Sequence, residues 1–93
     1  PVTGLGDAFE VDVSIVEWER DRVLRVPSAS LVPLDSGWAV YAIRGGRAEQ
    51  RRVTVGGRGS RESEVTAGIA EGDSVVLRPD ERLHDGIRVR PSP

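Results

Sequence analysis

Apolar and polar positions alternate from Ala8 onward. Phe9, Val11, Val13 and Ile15 share one phase, and Glu10, Asp12 and Ser14 share the other. A period of two predicts a half-buried strand. Trp18 falls beyond that run, among Glu17, Glu19, Arg20, Asp21 and Arg22. This charged cluster predicts a solvated turn. Trp18 there either caps an edge of the core or marks a contact surface, where Trp is favoured. Val23–Pro27 predicts a short strand that Pro27 must end or place at an edge. Ser28–Pro33 fits one helical turn or a second extended piece. Leu34-Asp35-Ser36-Gly37 has the chemistry of a turn.

Trp38–Ile43 is the clearest strand, and a second run spans Ala48–Val55. Gly45-Gly46 joins them and tolerates the positive φ of a primed hairpin turn. On the return strand Gln50, Arg52 and Thr54 alternate with Arg51, Val53 and Val55. Gly56–Arg61 predicts a flexible connection, and Glu62–Ala67 a short strand. Gly68–Gly72 predicts a tight turn in which Asp73 bonds nearby backbone N–H groups. Ser74–Leu77, bounded by Gly72 and Pro79, predicts the strand that this turn feeds. Gly86–Arg90 alternates once more as a last strand, and Pro91-Ser92-Pro93 predicts a disordered tail. The sum is an all-β fold, a small antiparallel β-roll or barrel-like module.

Composition agrees. Only 38% of the 93 residues are hydrophobic, and 11 Gly with 6 Pro supply many turns. A chain of this length holds one domain, or one domain and a piece of another. No Met is present, and Pro1 reads as an internal residue of a longer protein. No run has the apolar length of a membrane span. Without Cys, disulfides, thiolate zinc sites and Cys nucleophiles are excluded in this stretch. The net charge of −2 calls for no nucleic acid. It is unevenly spread, however. Arg44, Arg47, Arg51, Arg52, Arg58 and Arg61 face one acid, Glu49, in 44–61, while 1–21 holds six acids against Arg20. The flanks either satisfy each other and solvent or make the hairpin a basic docking patch. Those six arginines are the candidate partner-contact residues.

Catalytic chemistry is not apparent. His84 is the single His and stands beside Asp85 without a nucleophile or second base in a suggestive arrangement. Asp80, Glu81 and Asp85 lack the ligand spacing of a calcium loop. Glu62 and Glu64 would share a strand face but have no mate across a cleft. Gly56–Arg61 lacks the Gly-Lys-Ser/Thr ending of a phosphate-binding loop. No catalytic residue, cofactor site or metal site is expected.

Several stretches, in order, resemble one family. They are Leu24–Val32, Trp38–Tyr41, Gly46, Val53–Gly56, Glu64–Val76, Pro79 and Asp85–Val89. This order is similar to the last domain of HlyD-type periplasmic adaptors, the membrane fusion proteins of bacterial efflux and secretion pumps. Gly6–Val13 resembles the closing strand of the family's preceding β-barrel domain. Ser30 stands where the family usually has Ala, and Ile69 where it usually has Leu. The resemblance implies that 1–22 is a remnant of the barrel domain and 23–90 the membrane-proximal β domain. It implies a non-catalytic subunit in the periplasm, anchored to the inner membrane through segments outside this chain. Its partners would be an inner-membrane transporter of RND or ABC type and, through upstream domains, an outer-membrane channel. A strand that the family's N-terminal part supplies would be missing here, so self-association or a mobile N-terminal strand is expected. The alternatives are a small β module binding carbohydrate or peptide, for which aromatics are too few, and an RNA-binding barrel, which the acidity opposes.

Overall fold

A computed structural model describes residues 8–18 and 23–91. Among these the regular structure is all strand, apart from one 3-10 turn, with turns and loops between the strands. The strands are β1 (Phe9–Val11), β2 (Val13–Ile15), β3 (Glu17–Trp18), β4 (Leu24–Pro27), β5 (Val32–Leu34), β6 (Gly37–Arg44), β7 (Arg47–Arg58), β8 (Glu62–Ala67), β9 (Ser74–Val76) and β10 (Val89–Pro91). The expected all-β fold is observed.

The main sheet runs β2-β9-β6-β7-β8-β4-β3, all antiparallel, with β5 also paired to β6. Its two ends, β2 and β3, are consecutive pieces of one segment. Residues 13–18 therefore join β9 to β4 and close the sheet into a barrel. Val16 is the joint: its N–H donates to the Asp73 carbonyl at 2.8 Å, and its carbonyl accepts from Gly72 N–H at 2.8 Å. The long strands carry two partners on one edge. β6 meets β5 through Gly37–Ala39 and β9 at Ala42. β7 meets β8 through its second half, while its start bonds Ile87 and Gly86.

Alternation gives β6 two apolar faces. Val40 packs inside the barrel with Val16, Leu24, Val26, Leu31, Val53, Val65 and Val75. Tyr41, on the other face, joins Ala48, Val76, Leu83 and Val89 in a second cluster outside it. A short parallel pair, β1 with β10, covers this outer cluster with Phe9 and Val11. The parallel pair is the one departure from the expected antiparallel pairing among the described residues.

Four local expectations change. Phe9–Ile15 is two strands, because the Asp12 carbonyl accepts Leu77 N–H at 2.7 Å where the chain passes from β10 to β9. Its apolar phase covers the outer cluster and then runs into solvent, so Ile15 is 53% exposed while Val16 is 1% exposed. Glu17–Trp18 is a strand paired with Arg25 and Leu24, where a solvated turn was expected. Residues 19–22 and the role of the Trp18 side chain lie outside the described residues. β7 continues through Gly56-Gly57 to Arg58. A register shift opposite Glu64 accommodates that glycine pair, so the flexible connection shrinks to 59–61. Ser28–Pro33 is both things considered: a 3-10 turn over Ser28–Ser30, then β5 with Pro33 in it. Pro91 pairs with Val11, and Ser92 and Pro93 lie outside the described residues.

Candidate interaction surface

The β6–β7 hairpin is built as its sequence suggests. Gly45 and Gly46 have φ of 61° and 76°, as a type I′ turn requires. The register places Arg44 opposite Arg47, Ala42 opposite Glu49 and Val40 opposite Arg51. Directly opposed residues point to the same face. Arg44, Arg47, Glu49 and Arg51 therefore continue the barrel-facing side of the sheet out to the hairpin tip. Glu49 Oε1 lies 2.9 Å from Arg51 Nε and 3.5 Å from Arg44 Nε. Arg51 also donates to the Gly68 carbonyl at 3.3 Å and is 27% exposed, against 65% for Arg44. Arg47 donates to the Gly86 carbonyl at 2.9 Å.

The other three candidate arginines lie elsewhere. Arg52 is on the opposite face of β7 and donates to the Ser36 carbonyl at 2.6 Å. Arg58 stacks over Trp38 at 4.5 Å from the ring centroid. Arg61 is exposed in the turn before β8. Arg58 stands eleven strand residues from Arg47, roughly 35 Å at the usual rise. The tip brings together Arg44, Arg47 and Arg51, and does not bring Arg52, Arg58 or Arg61 to them.

A shallow cleft of about 230 Å³ opens beside the tip, lined by Arg44, Arg47, Ala48, Glu49, Asp85 and Gly86. Asp85 Oδ1 accepts the Gln50 N–H at 2.7 Å, filling a place on the β7 edge between its two strand partners. Arg88 bridges Arg47 from the far side of β7. Sequence reasoning missed both residues as parts of this surface. Alternation put Arg88 on the outward phase of the last strand, but its neighbour is a tertiary fact. His84 is exposed and its Nδ1 lies 3.2 Å from the Asp85 carbonyl. Glu64 pairs with Arg25 at 3.6 Å, while Glu62 is exposed.

These features describe a small closed sheet with a charged, solvent-facing tip. A family model described as YknX, C-terminal permuted SH3-like domain, matches residues 23–91. The chain belongs to this family. The YknX-type domain is SH3-like, in keeping with the small antiparallel sheet closed by residues 13–18. Among curated proteins, YknX of Bacillus subtilis (strain 168), whose name describes it as an efflux system component, is 25% identical over 75 residues. That alignment covers 81% of this chain and 20% of the relative, so the chain spans about one fifth of that protein's length. The expected likeness to efflux-pump adaptors is thereby met at the level of family. The YknX-type match begins at Val23, after β3, although β2 and β3 complete the barrel.

Proposed function

We propose that this chain is the C-terminal, membrane-proximal part of an efflux-system adaptor and acts by protein contact without catalysing a reaction. The observation that carries this reading is the family match over 23–91 to the C-terminal domain of an efflux system component. In this reading 23–90 is the membrane-proximal domain and 1–22 the end of a preceding barrel domain. The subunit lies in the periplasm, held at the inner membrane by segments outside the chain. It joins an inner-membrane transporter to an outer-membrane channel, and the β6–β7 tip with Arg44, Arg47 and Arg51 faces the transporter. No helix among the described residues is long and apolar enough to cross a membrane.

Co-purification tests the reading. The longer protein carrying this chain, expressed in its own host, should bring down an efflux transporter from detergent-solubilised membranes. Deleting 23–91 should abolish that recovery. Full recovery by the deletion variant, or none by the intact protein, would remove the proposal.

A further inference from the structure

We infer that residues 8–11 and 78–91 form a hinged cover over one face of the barrel, strained at Arg78 and latched to the start of β7. The barrel closes without them. Its ladder runs from β2 round to β3, while β1 and β10 make a sheet of their own. Among the described residues the barrel core takes no side chain from either segment. Phe9, Val11, Leu83, Ile87 and Val89 lie instead on the outer face, against Tyr41, Ala48 and Val76. With the apolar contacts divided in this way, the outer cluster can open while the barrel stays packed.

The hinge lies at one point. Both connections between cover and barrel pass it, because the Asp12 carbonyl accepts the Leu77 N–H at 2.7 Å. The next residue, Arg78, has φ of +47° and precedes Pro79. A side chain at such a φ is disfavoured, and a residue before proline is pushed toward extended backbone. Arg78 bears both constraints, and its N–H is held by the Ala29 carbonyl at 3.1 Å. Backbone held in this way stores free energy that a change of φ releases. Swinging the cover outward is such a change.

The latch lies across the sheet. β9 neighbours β6 and β6 neighbours β7, so the cover crosses β6 between hinge and latch. Beneath it Tyr41 Oη donates to the Leu83 carbonyl at 3.2 Å. At β7 the Val89 N–H donates to the Gly46 carbonyl at 2.9 Å, Ala48 N–H to Ile87 at 2.8 Å and Gly86 N–H to Ala48 at 2.7 Å. The Gln50 N–H donates to Asp85 Oδ1 at 2.7 Å. Gly46, Gln50, Asp85 and Gly86 are exposed, so water competes for this row. Release would bare Val76, Tyr41 and Ala48, buried apolar positions on three neighbouring strands. Neither hinge nor latch depends on the adaptor reading.

Native-state hydrogen exchange on the purified chain tests the cover. Relative to intrinsic rates, the Gly86 and Val89 amides should exchange faster than those of Val40 and Val75, with a smaller dependence on urea. Arg78→Asn and Arg78→Ala both remove the guanidinium, but Asn tolerates the left-handed region far better than Ala. The Gly86 and Val89 amides should therefore exchange about fivefold more slowly in the Asn variant than in the Ala variant. Equal exchange in the two, or a difference confined to Val40 and Val75, would overturn the hinge. A cross-link checks the latch. Arg47 stands opposite Arg88 and the chain has no Cys, so Arg47→Cys with Arg88→Cys places one disulfide between β7 and the cover. Oxidation should slow the Gly86 and Val89 amides to the rates of the barrel amides, and reduction should restore the faster exchange. Cover amides that match the barrel in rate and urea dependence before cross-linking, or that exchange unchanged after it, would overturn the cover as a separate unit.

Discussion

Gly68 is the position where one added methyl group does most harm. Its φ is +108°, and a Cβ there would run into the Arg52 carbonyl and the Val53 Cα of β7. Gly72, four residues on, has φ of +93° but open space around it. Both substitutions meet the penalty of positive φ, and only one meets backbone. Gly68→Ala should cost about 3 kcal/mol and Gly72→Ala about 1 kcal/mol, measured by urea unfolding of the purified chain. A reversed order would show that the β7 contact is not what holds this turn. The turn itself was legible: both glycines and Asp73, whose Oδ2 accepts the Ala70 N–H at 2.9 Å, stand where turn chemistry wants them. The approach of Gly68 to β7 was not legible, because it arises from a pairing thirteen residues apart, Thr54 with Ala67.

The β1–β10 ribbon is the element held by charge. Arg78 reaches Asp12 at 3.5 Å, Arg90 reaches Glu10 at 3.4 Å, and the Arg82 guanidinium lies 5.4 Å from the Phe9 ring centroid. Arg78 has φ of +47°, the one positive φ outside glycine among the described residues. Exposed ion pairs of this kind contribute about 0–1 kcal/mol each and are screened by salt. Arg82 is in turn positioned by Asp80, and the side-chain hydrogen bond from Arg82, with its backbone N–H, holds the Asp80 carboxyl below the ordinary value of 3.8. A depressed carboxyl stabilises above the unfolded value and loses that contribution as pH falls through the folded one. Hydrogen exchange of the Phe9 amide, bonded to the Arg88 carbonyl at 3.0 Å, should therefore accelerate with salt and again below about pH 3.8, relative to its intrinsic rate. The Val40 and Val75 amides in the barrel should not follow. Uniform protection of all three under both conditions would show that apolar packing alone holds the ribbon. Alternation revealed the strand at Phe9–Val11 but not its break, since a carbonyl taken by Leu77 leaves no trace in hydrophobic period.

For the whole molecule the decisive feature is closure by residues 13–18. The family match starts at Val23, yet without β2 and β3 the edges of β9 and β4 would be bare and Val16 would leave the core. Bare edges invite pairing between chains. A fragment of residues 23–93 should aggregate or unfold without cooperativity, while residues 8–93 should melt in one transition, as followed by circular dichroism and light scattering. A monomeric, cooperatively melting 23–93 fragment would show that the last strands close the sheet by themselves.

Local chemistry was enough to determine the fold class, the Gly45-Gly46 hairpin, the Gly68–Gly72 turn and the polar phase of β7. Each depends on neighbours within a few residues, where side-chain period and glycine φ leave few choices. Tertiary structure alone decided that β6 is buried on both faces, that the phase of Phe9 covers the outer cluster and not the barrel interior, and that Arg88 comes to stand beside Arg47. Those outcomes depend on which strand edges meet, and period-two alternation carries no record of the partner across the ladder.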